Sequence, residues 1–324
     1  MLRPLLLRAT AGLGVVWGVV TLVFLLLHAA PGDPAALLVG TAATPTQLAE
    51  ERRSLGLDRP LPVQYAVWLG RFAAGDWGTS IATGRPVRTM LADAWPATAR
   101  LVLISIFLSY ALGIGLGVVQ AAVGGTRLDT ALSAASVTLF AMPGYWLGLM
   151  LVMVFTYHLR LLPAFGAAGI DAEFLPWVAR ARDGLRHLAL PVATLTLVGV
   201  GGVARFVRGA MLDLRGSLFL VTAEAKGLAP GRVLVRHALR NALIPVVTLL
   251  GLSLPAVFSG AVFVEAIFAW PGVGRVLVEA VQARDYPVVL AAAAVSAALV
   301  VVGNLLAEAL AGWADPRVRS SHAG

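Results

Sequence analysis

Long uncharged apolar segments recur from one end of this 324-residue chain to the other. Residues 101–126, for example, contain no Asp, Glu, Lys or Arg. About 20 apolar residues in a helix are enough to cross the roughly 30 Å hydrocarbon core of a bilayer. Only 13% of all residues are charged, whereas soluble domains average about 25%. The sequence therefore predicts an all-α integral membrane protein.

Six such segments predict six transmembrane helices, at residues 9–27, 101–126, 130–157, 188–204, 242–264 and 286–307. They divide the chain into an N-terminal transmembrane helix (1–30), an extracytoplasmic loop (31–97), a five-helix core (98–313) and a tail (314–324). A cleaved signal peptide is the alternative for the first segment, because arginines precede it and small residues follow it. Its length favours a retained helix.

The loop at 205–241, between the fourth and fifth apolar segments, is both basic and helix-forming. The charged residues between positions 219 and 248 are Glu224, Lys226, Arg232, Arg236 and Arg240. Basic loops between spans face the cytoplasm, which predicts that both termini are cytoplasmic too. Ala229-Pro230-Gly231 is expected to divide the stretch into two short helices. Small residues around this break favour a surface that enters a partner's groove over a loop that merely orients the chain.

Residues 225–228 (AKGL) and 237–245 (HALRNALIP) resemble the cytoplasmic "EAA" loop of ABC-importer permeases, in the form found in the dipeptide, oligopeptide and nickel branch. Val221 occupies the position of the motif's glutamate, so Glu224 is not its counterpart. The resemblance extends over the whole chain, including GDWGTS at 75–80 and ADPRVR at 314–319, and is densest after residue 187.

This resemblance implies the type I ABC importer permease fold, with six transmembrane helices and cytoplasmic coupling helices, in the bacterial inner membrane. The implied partners are a second, homologous permease forming a heterodimer, two ATPase subunits, an extracytoplasmic binding protein and membrane lipid, but no nucleic acid. No cofactor is expected on this chain, since ATP and Mg would bind the ATPase subunits. Peptides lead as the substrate, and nickel complexes, glutathione and oligosaccharides stay open.

The residues expected to couple the chain to the ATPase all lie in the basic loop. They are Ala223, Glu224, Ala225, Lys226, Gly227, Leu228, Ala229, Arg232, Arg236, His237 and Arg240. Small residues would allow close docking, and the arginines would pair with partner carboxylates or with anionic lipid.

A second group of residues is a candidate lining for a translocation path. Pro143 and Gly144 interrupt the third apolar segment, and broken helices mark either a transport path or a packing kink. Tyr145, Ser259 and Glu265 complete the group. Glu265, at the end of the fifth segment, is expected to be a hydrated boundary residue or part of an outer gate.

Several other classes of protein are disfavoured. The chain has no Gly-x4-Gly-Lys-Ser/Thr loop and a single lysine, so it is not expected to bind ATP in that manner or to be an enzyme. It has no Cys, and its five His are too scattered for a metal site. No His lies in a predicted span to serve an intramembrane serine protease. A gradient-driven carrier would need ionisable residues inside spans, and only Glu265 and Glu308, at span ends, are candidates.

Overall fold

The computed structural model describes residues 2–30, 32–40 and 43–314. In this part of the chain the secondary structure is helical, apart from one isolated β-bridge between Thr79 and Pro86. The chain divides into two compact units. The first contains Met1–Thr98 and Pro271–Val301, and the second contains Ala99–Trp270 and Val302–Gly324.

The helices, in chain order, are α1 (Leu2–Ala29), α2 (Pro34–Val39), α3 (Pro45–Ser54), α4 (Leu61–Ala73), α5 (Val87–Ala122), α6 (Arg127–Ala141), α7 (Gly144–Leu151), α8 (Trp177–Asp213), α9 (Leu218–Ala225), α10 (Pro230–Arg232), α11 (Leu239–Ile267), α12 (Val273–Gln282) and α13 (Tyr286–Ala314). Two π-helical segments, Val152–His158 and Val233–Ala238, continue α7 and α10, and Ala172–Phe174 is a 3₁₀ turn.

Among the described residues, four helices are long and apolar enough to cross a membrane: Thr10–Ala29, Val87–Ala122, Trp177–Asp213 and Tyr286–Leu306. A fifth span is present if Arg127–Ala141 and Gly144–His158, which are bent by 103° at their junction, count as one. The remaining predicted span falls in α11, where Val257–Ile267 forms a shorter apolar helix. The multi-pass helical architecture agrees with the sequence, and the number six stays a prediction.

Two of these helices extend well beyond the apolar segments that predicted them. Helix α5 begins at Val87, with Pro96 inside it, and α8 has 37 residues rather than the 17 expected for its span. Hydropathy marks only the part of a helix that is apolar, whereas the helical backbone continues into polar flanks until a breaker stops it. For α8 the next breaker is Gly216, which has a φ of +82°.

In the first unit, the side chains of a few adjacent residues explain the start of α3 and the aromatic face of α4. Thr44 caps α3, accepting a hydrogen bond from the Gln47 backbone N–H at 3.3 Å, while the Gln47 side chain accepts from the Thr44 N–H at 2.9 Å. Thr44 followed by Pro45 is a typical start of a helix, and Gln47 completes a reciprocal capping box. Helix α4 carries an aromatic face, on which Tyr65, Trp68 and Phe72 follow one another in ring contact.

A buried carboxylate joins two distant segments of this unit. The Ser80 hydroxyl donates to Asp285 Oδ2 at 2.5 Å, and the Ala82 N–H donates to the same oxygen at 3.2 Å. Ser80 and Asp285 are only 3% and 2% exposed. The turn at 75–86 is thereby tied to the residue that immediately precedes α13.

In the second unit, glycines let α5 and α6 pack closely on α8. A Cβ on Gly117 of α5 would lie 2.7 Å from the Ala204 carbonyl oxygen of α8. A Cβ on Gly201 of α8 would collide with the Ser136 carbonyl oxygen of α6. Small residues at such contacts are the usual means by which helices associate in membranes. This packing holds the C-terminal half of α8, from which the basic loop departs.

Candidate functional site

The basic segment, defined here as residues 218–240, starts with α9 and then makes a tight turn. Gly227 has a left-handed φ of +73°. Its N–H donates to the Glu224 carbonyl at 2.9 Å, and the Leu228 N–H donates to the Ala223 carbonyl at 3.4 Å. These two bonds form a Schellman motif, which stops a helix and satisfies its last carbonyls. Gly227 is therefore required by the backbone conformation, because only Gly adopts it without steric cost.

A second helix starts immediately after this turn. Ala229 stands at its N-cap, and Pro230 occupies the first helical position, where its missing N–H costs nothing. The expected break at 229–231 is thus present. The expectation of a second short helix is wrong, because α10 passes through the π-helical segment Val233–Ala238 directly into α11. No glycine or proline follows before residue 245, so nothing in the sequence ends the helix there.

The inner face of the basic segment packs on the ends of three long helices. A single apolar cluster joins the segment to α5, α8 and α11: Ala121, Val203, Val207, Met211, Leu220, Ala223, Val233, Ala238, Ala242 and Val246. Leu228 packs against the edge of this cluster. Ala223 is only 6% exposed, so it and Leu228 support the segment from beneath.

The outer face of the segment is exposed and basic. The predicted coupling residues that face outward are Glu224, Ala225, Lys226, Gly227, Ala229, Arg232, Arg236 and Arg240, while His237 is half-buried. Within the described chain, no ion-pair partner is present for any of the four cations on this face, which are Lys226, Arg232, Arg236 and Arg240. The large apolar side chains of Leu218, Val221 and Val235 are exposed beside them, at 85%, 49% and 56%. Exposed apolar side chains ringed by charge are characteristic of an interaction surface.

An ion pair that the sequence did not predict holds the base of this segment. Arg208 of α8 binds Asp129 of α6 in a bidentate arrangement, with Nε to Oδ1 and Nη2 to Oδ2 both at 2.7 Å. The Asp129 carboxylate also accepts from the Gly125 N–H at 3.0 Å and the Ser133 hydroxyl at 3.2 Å. Asp129 is 3% exposed. Bidentate Arg–carboxylate pairs add directional specificity to their charge attraction, so α6 and α8 are held in one register.

A second contact acts at the same end of α8. The Arg215 guanidinium donates to the Ala121 carbonyl at the end of α5. The sequence signal for both contacts was only a set of charges beside apolar segments. Their partners lie 79 and 94 residues away, which no local pattern identifies.

The candidate path residues fall on two helices that contact each other, α7 and α11. Pro143 is the residue before α7 at the 103° bend, as the interruption of the third segment predicted. Gly144 is half-buried, while Tyr145 and Ser259 are exposed. Glu265 is fully buried, so the expectation of a hydrated boundary residue is wrong. Here the backbone turns at the end of α11, where the Trp270 N–H donates to the Glu265 carbonyl at 2.9 Å.

In residues 2–30, 32–40 and 43–314, no group of three or more His, Cys, Asp or Glu side chains is placed to hold a metal ion. The helices of the second unit, joined by the apolar cluster and the Asp129–Arg208 pair, form a base that carries an exposed basic surface. Such a surface suits a protein partner with acidic and apolar groups.

Comparison with known proteins matches nearly the whole chain. The model of the family described as "Binding-protein-dependent transport system inner membrane component" matches residues 113–320, and that of its N-terminal region matches residues 1–102. The oligopeptide transport system permease protein AppB of Bacillus subtilis is 38% identical over 96% of this chain and 97% of its own length. The probable D,D-dipeptide transport system permease protein DdpB of Escherichia coli is 38% identical, with 94% of both chains covered.

A third relative is the di/tripeptide transport system permease protein DppB of Pseudomonas aeruginosa, 36% identical with 94% of both chains covered. Among solved structures, the inward-facing MetNI methionine ABC transporter contains a chain that superposes with a TM-score of 0.55. That match covers 71% of this chain and 98% of the other at 16% identity, so it supports the fold alone.

Proposed function

Because the chain belongs to the family of binding-protein-dependent transport system inner membrane components, we propose that it forms half of the translocation pathway for peptides. It is a non-catalytic permease subunit of an ABC importer in the inner membrane, and its family works with ATPase and substrate-binding partners. The peptide assignment is supported by relatives that are named for oligopeptides, D,D-dipeptides and di- or tripeptides. Nickel complexes, glutathione and oligosaccharides are the alternatives that a transport assay must compare.

The basic segment is the surface that docks on the ATPase. The observation that carries this proposal is its outer face, where four cations without carboxylate partners in the described chain surround exposed apolar side chains. An ATPase groove with carboxylates at its rim and an apolar floor complements both features. Ala225, Gly227 and Ala229 form the closest approach, since they add little bulk to this face.

Docking is useful only if movement of the segment reaches the spans. The segment shares one apolar cluster with α5, α8 and α11, and the Asp129–Arg208 pair ties α8 to α6. Interfaces packed in this way move as bodies rather than deforming continuously. Closure of the ATPase pair on ATP would therefore displace the cores of the spans and switch the pathway from inward-open to outward-open. ATP must bind the two states of the complex differently for this to occur.

The complex is completed by a second, homologous permease, two ATPase subunits and an extracytoplasmic binding protein. The N- and C-termini lie in the cytoplasm, on the same side as the basic segment, and residues 31–97 lie outside. The broken span at Pro143 and Gly144, with Tyr145 beside it, lines the pathway together with Ser259 on the neighbouring α11. The enclosed Glu265, near the end of α11, belongs to an outer gate. Backbone groups freed at a break are tolerated in a membrane where they face protein or a water-filled cavity.

The docking proposal can be tested by disulfide crosslinking, because the chain has no native Cys. A single cysteine at Ala229, which is exposed at the N-cap of α10, is paired with single cysteines along the ATPase groove. We expect a specific crosslink whose yield changes with ATP. A cysteine at the buried Ala238 is the matched control and should not crosslink. Labelling of position 229 by an impermeant reagent from outside would refute both the docking and the orientation.

The substrate is tested separately, with the complete transporter reconstituted into proteoliposomes. ATP-dependent uptake of di- and oligopeptides should exceed uptake of a nickel complex, glutathione or an oligosaccharide when the cognate binding protein is present. Uptake of one of those solutes instead of peptides would overturn the substrate assignment and leave the docking proposal intact.

A further inference from the structure

A cavity of about 270 Å³ lies within the first unit, away from the basic segment in the sequence. It is lined by the last turns of α1, by the end of α3 and the turn that follows it, by α4, by residues 76–81 and by the start of α13. Its volume falls just below the roughly 300–1,000 Å³ typical of small-molecule pockets. It therefore suits a polar head group or the end of a longer molecule rather than a whole drug-sized ligand.

The cavity lies where two spans reach their polar ends. Phe24 and His28 are at the C-terminal end of the span Thr10–Ala29, and Tyr286 begins the span Tyr286–Leu306. The Tyr286 hydroxyl donates to the Leu27 carbonyl at 2.9 Å, so the two ends are joined. Trp68 and Trp77 also line it. Tyr and Trp concentrate at the membrane–water interface, which places the cavity at the depth of lipid head groups.

Three arginines line this cavity: Arg53, Arg59 and Arg71. In the described part of the chain, none of their side chains has a hydrogen-bond or ion-pair partner. Outside the cavity, Arg52 pairs with Asp33 at 2.9 Å and Arg85 with Asp93 at 2.8 Å, whereas Arg88 has no partner in the described chain. The cavity thus collects cations that the unit leaves uncompensated.

The carboxylate and amide side chains of the cavity are already engaged. Asp76, its single carboxylate, accepts from the Gly78 N–H at 3.0 Å. Gln64 donates to the Arg59 carbonyl at 2.8 Å and lies 3.1 Å from His28 Nε2. The charged donors that stay available are the guanidinium groups, which match the oxygens of a phosphate in bidentate geometry.

Next to the cavity, the exposed side of α1 offers room for acyl chains. Leu25 is 53% exposed and follows Phe24 directly, so it borders the face of α1 that carries Phe24 and His28. A ligand with an anionic head and an apolar body would satisfy the arginines, the aromatic walls and Leu25 together. A free phosphate or a soluble carboxylate would satisfy only the arginines.

We propose that this arginine-lined cavity binds the phosphodiester head group of an anionic phospholipid, with the acyl chains along α1. The site is separate from the docking surface and independent of the transported substrate. By anchoring the joined ends of α1 and α13 to the surface of one leaflet, the lipid would stabilise the first unit at a defined depth in the membrane.

The proposal is tested with the full-length chain, co-purified with its transporter subunits in phosphatidylcholine nanodiscs that contain a photoreactive phosphatidylglycerol. Labelled peptides are mapped by mass spectrometry, first for the unmodified chain. The variant R53Q/R59Q/R71Q removes the three cavity arginines. The control R52Q/R85Q/R88Q removes the same charge from exposed positions of the same unit that do not line the cavity.

We expect labelling of residues that line the cavity, displaced by unlabelled phosphatidylglycerol but not by extra phosphatidylcholine. General attraction to an anionic surface, about fivefold per arginine, acts on both variants. The cavity variant should lose labelling by about a further tenfold, because it alone loses charge-assisted hydrogen bonds to the phosphate. Equal loss in both variants would show general surface attraction and overturn the proposal. Displacement by glycerol phosphate or by a peptide would assign the cavity to a soluble anion and overturn it too. The competition arm on the unmodified chain needs no variant, so it decides the matter even if the triple variant fails to insert.

Discussion

Replacing Gly227 should weaken docking of the ATPase through the backbone rather than through bulk. Gly227 has a φ of +73°, and an added Cβ there would meet no atom within 4 Å. A left-handed conformation costs a residue with a Cβ about 1–2 kcal/mol. Gly-to-Ala replacement also reduces the conformational entropy of the unfolded chain, which stabilises the folded state by about 0.4–1 kcal/mol. The net penalty for Gly227→Ala is then about 1 kcal/mol, which corresponds to roughly a fivefold loss of the correctly turned segment.

Two comparisons separate this explanation from steric exclusion by the partner. Gly231, four residues later, is also exposed and also has open space around it, but its φ is not positive. Gly231→Ala should therefore leave docking unchanged or slightly improve it, as expected at a helical position. Asn tolerates the left-handed region, so Gly227→Asn should be milder than Gly227→Ala although it is larger.

The assay is the apparent affinity of the membrane-inserted permease for its ATPase, with ATP-dependent uptake in proteoliposomes measured in parallel. The membrane content of each variant is measured first, so that loss of insertion is not mistaken for loss of docking. Equal affinities for Gly227→Ala and Gly231→Ala would refute the conformational argument. A Gly227→Asn variant that docks worse than Gly227→Ala would show that bulk at this position is what matters.

Three further substitutions test contacts made inside one unit or the other. Asp129→Asn should lower both the melting temperature and the rate of uptake. Adding Arg208→Gln should lower them little further, because the guanidinium has already lost its carboxylate partner. Additive losses in this double-mutant cycle would contradict a coupled pair. Gly201→Ala places a Cβ against a backbone oxygen of α6 and should lower the free energy of unfolding, measured by chemical denaturation, by about 1–3 kcal/mol. Gly209→Ala, in open space on the same helix, is the control and should not lower it. Similar effects of the two substitutions would argue against tight packing at Gly201. Ser80→Ala removes one hydroxyl donor from the buried Asp285 carboxylate and should lower the free energy of unfolding by about 1.5–3 kcal/mol in the same assay. An unchanged unfolding midpoint would show that the carboxylate does not depend on that donor.

Much of the architecture follows from properties that are local in the sequence. Hydropathy adds up residue by residue, so the apolar segments indicated a multi-pass membrane protein without any knowledge of tertiary contacts. The interruption before Gly144 and the break at Ala229-Pro230 each depend on a few adjacent residues, and the structure confirms both. Helix ends were less predictable, since hydropathy marks the edge of the apolar region and not the point where the helix stops.

Only the tertiary structure decided which side chains meet and which face water. Arg208 finds Asp129 from 79 residues away, and Ser80 finds Asp285 from 205 residues away. Such pairs depend on how helices pack, and the one-dimensional pattern of charges is compatible with many packings. Burial is decided in the same way, which is why Glu265 proved to be enclosed rather than hydrated. The sequence thus determined that helices span the membrane and where the backbone must turn, because those are local energies. Long-range packing decided which charges are paired within the chain.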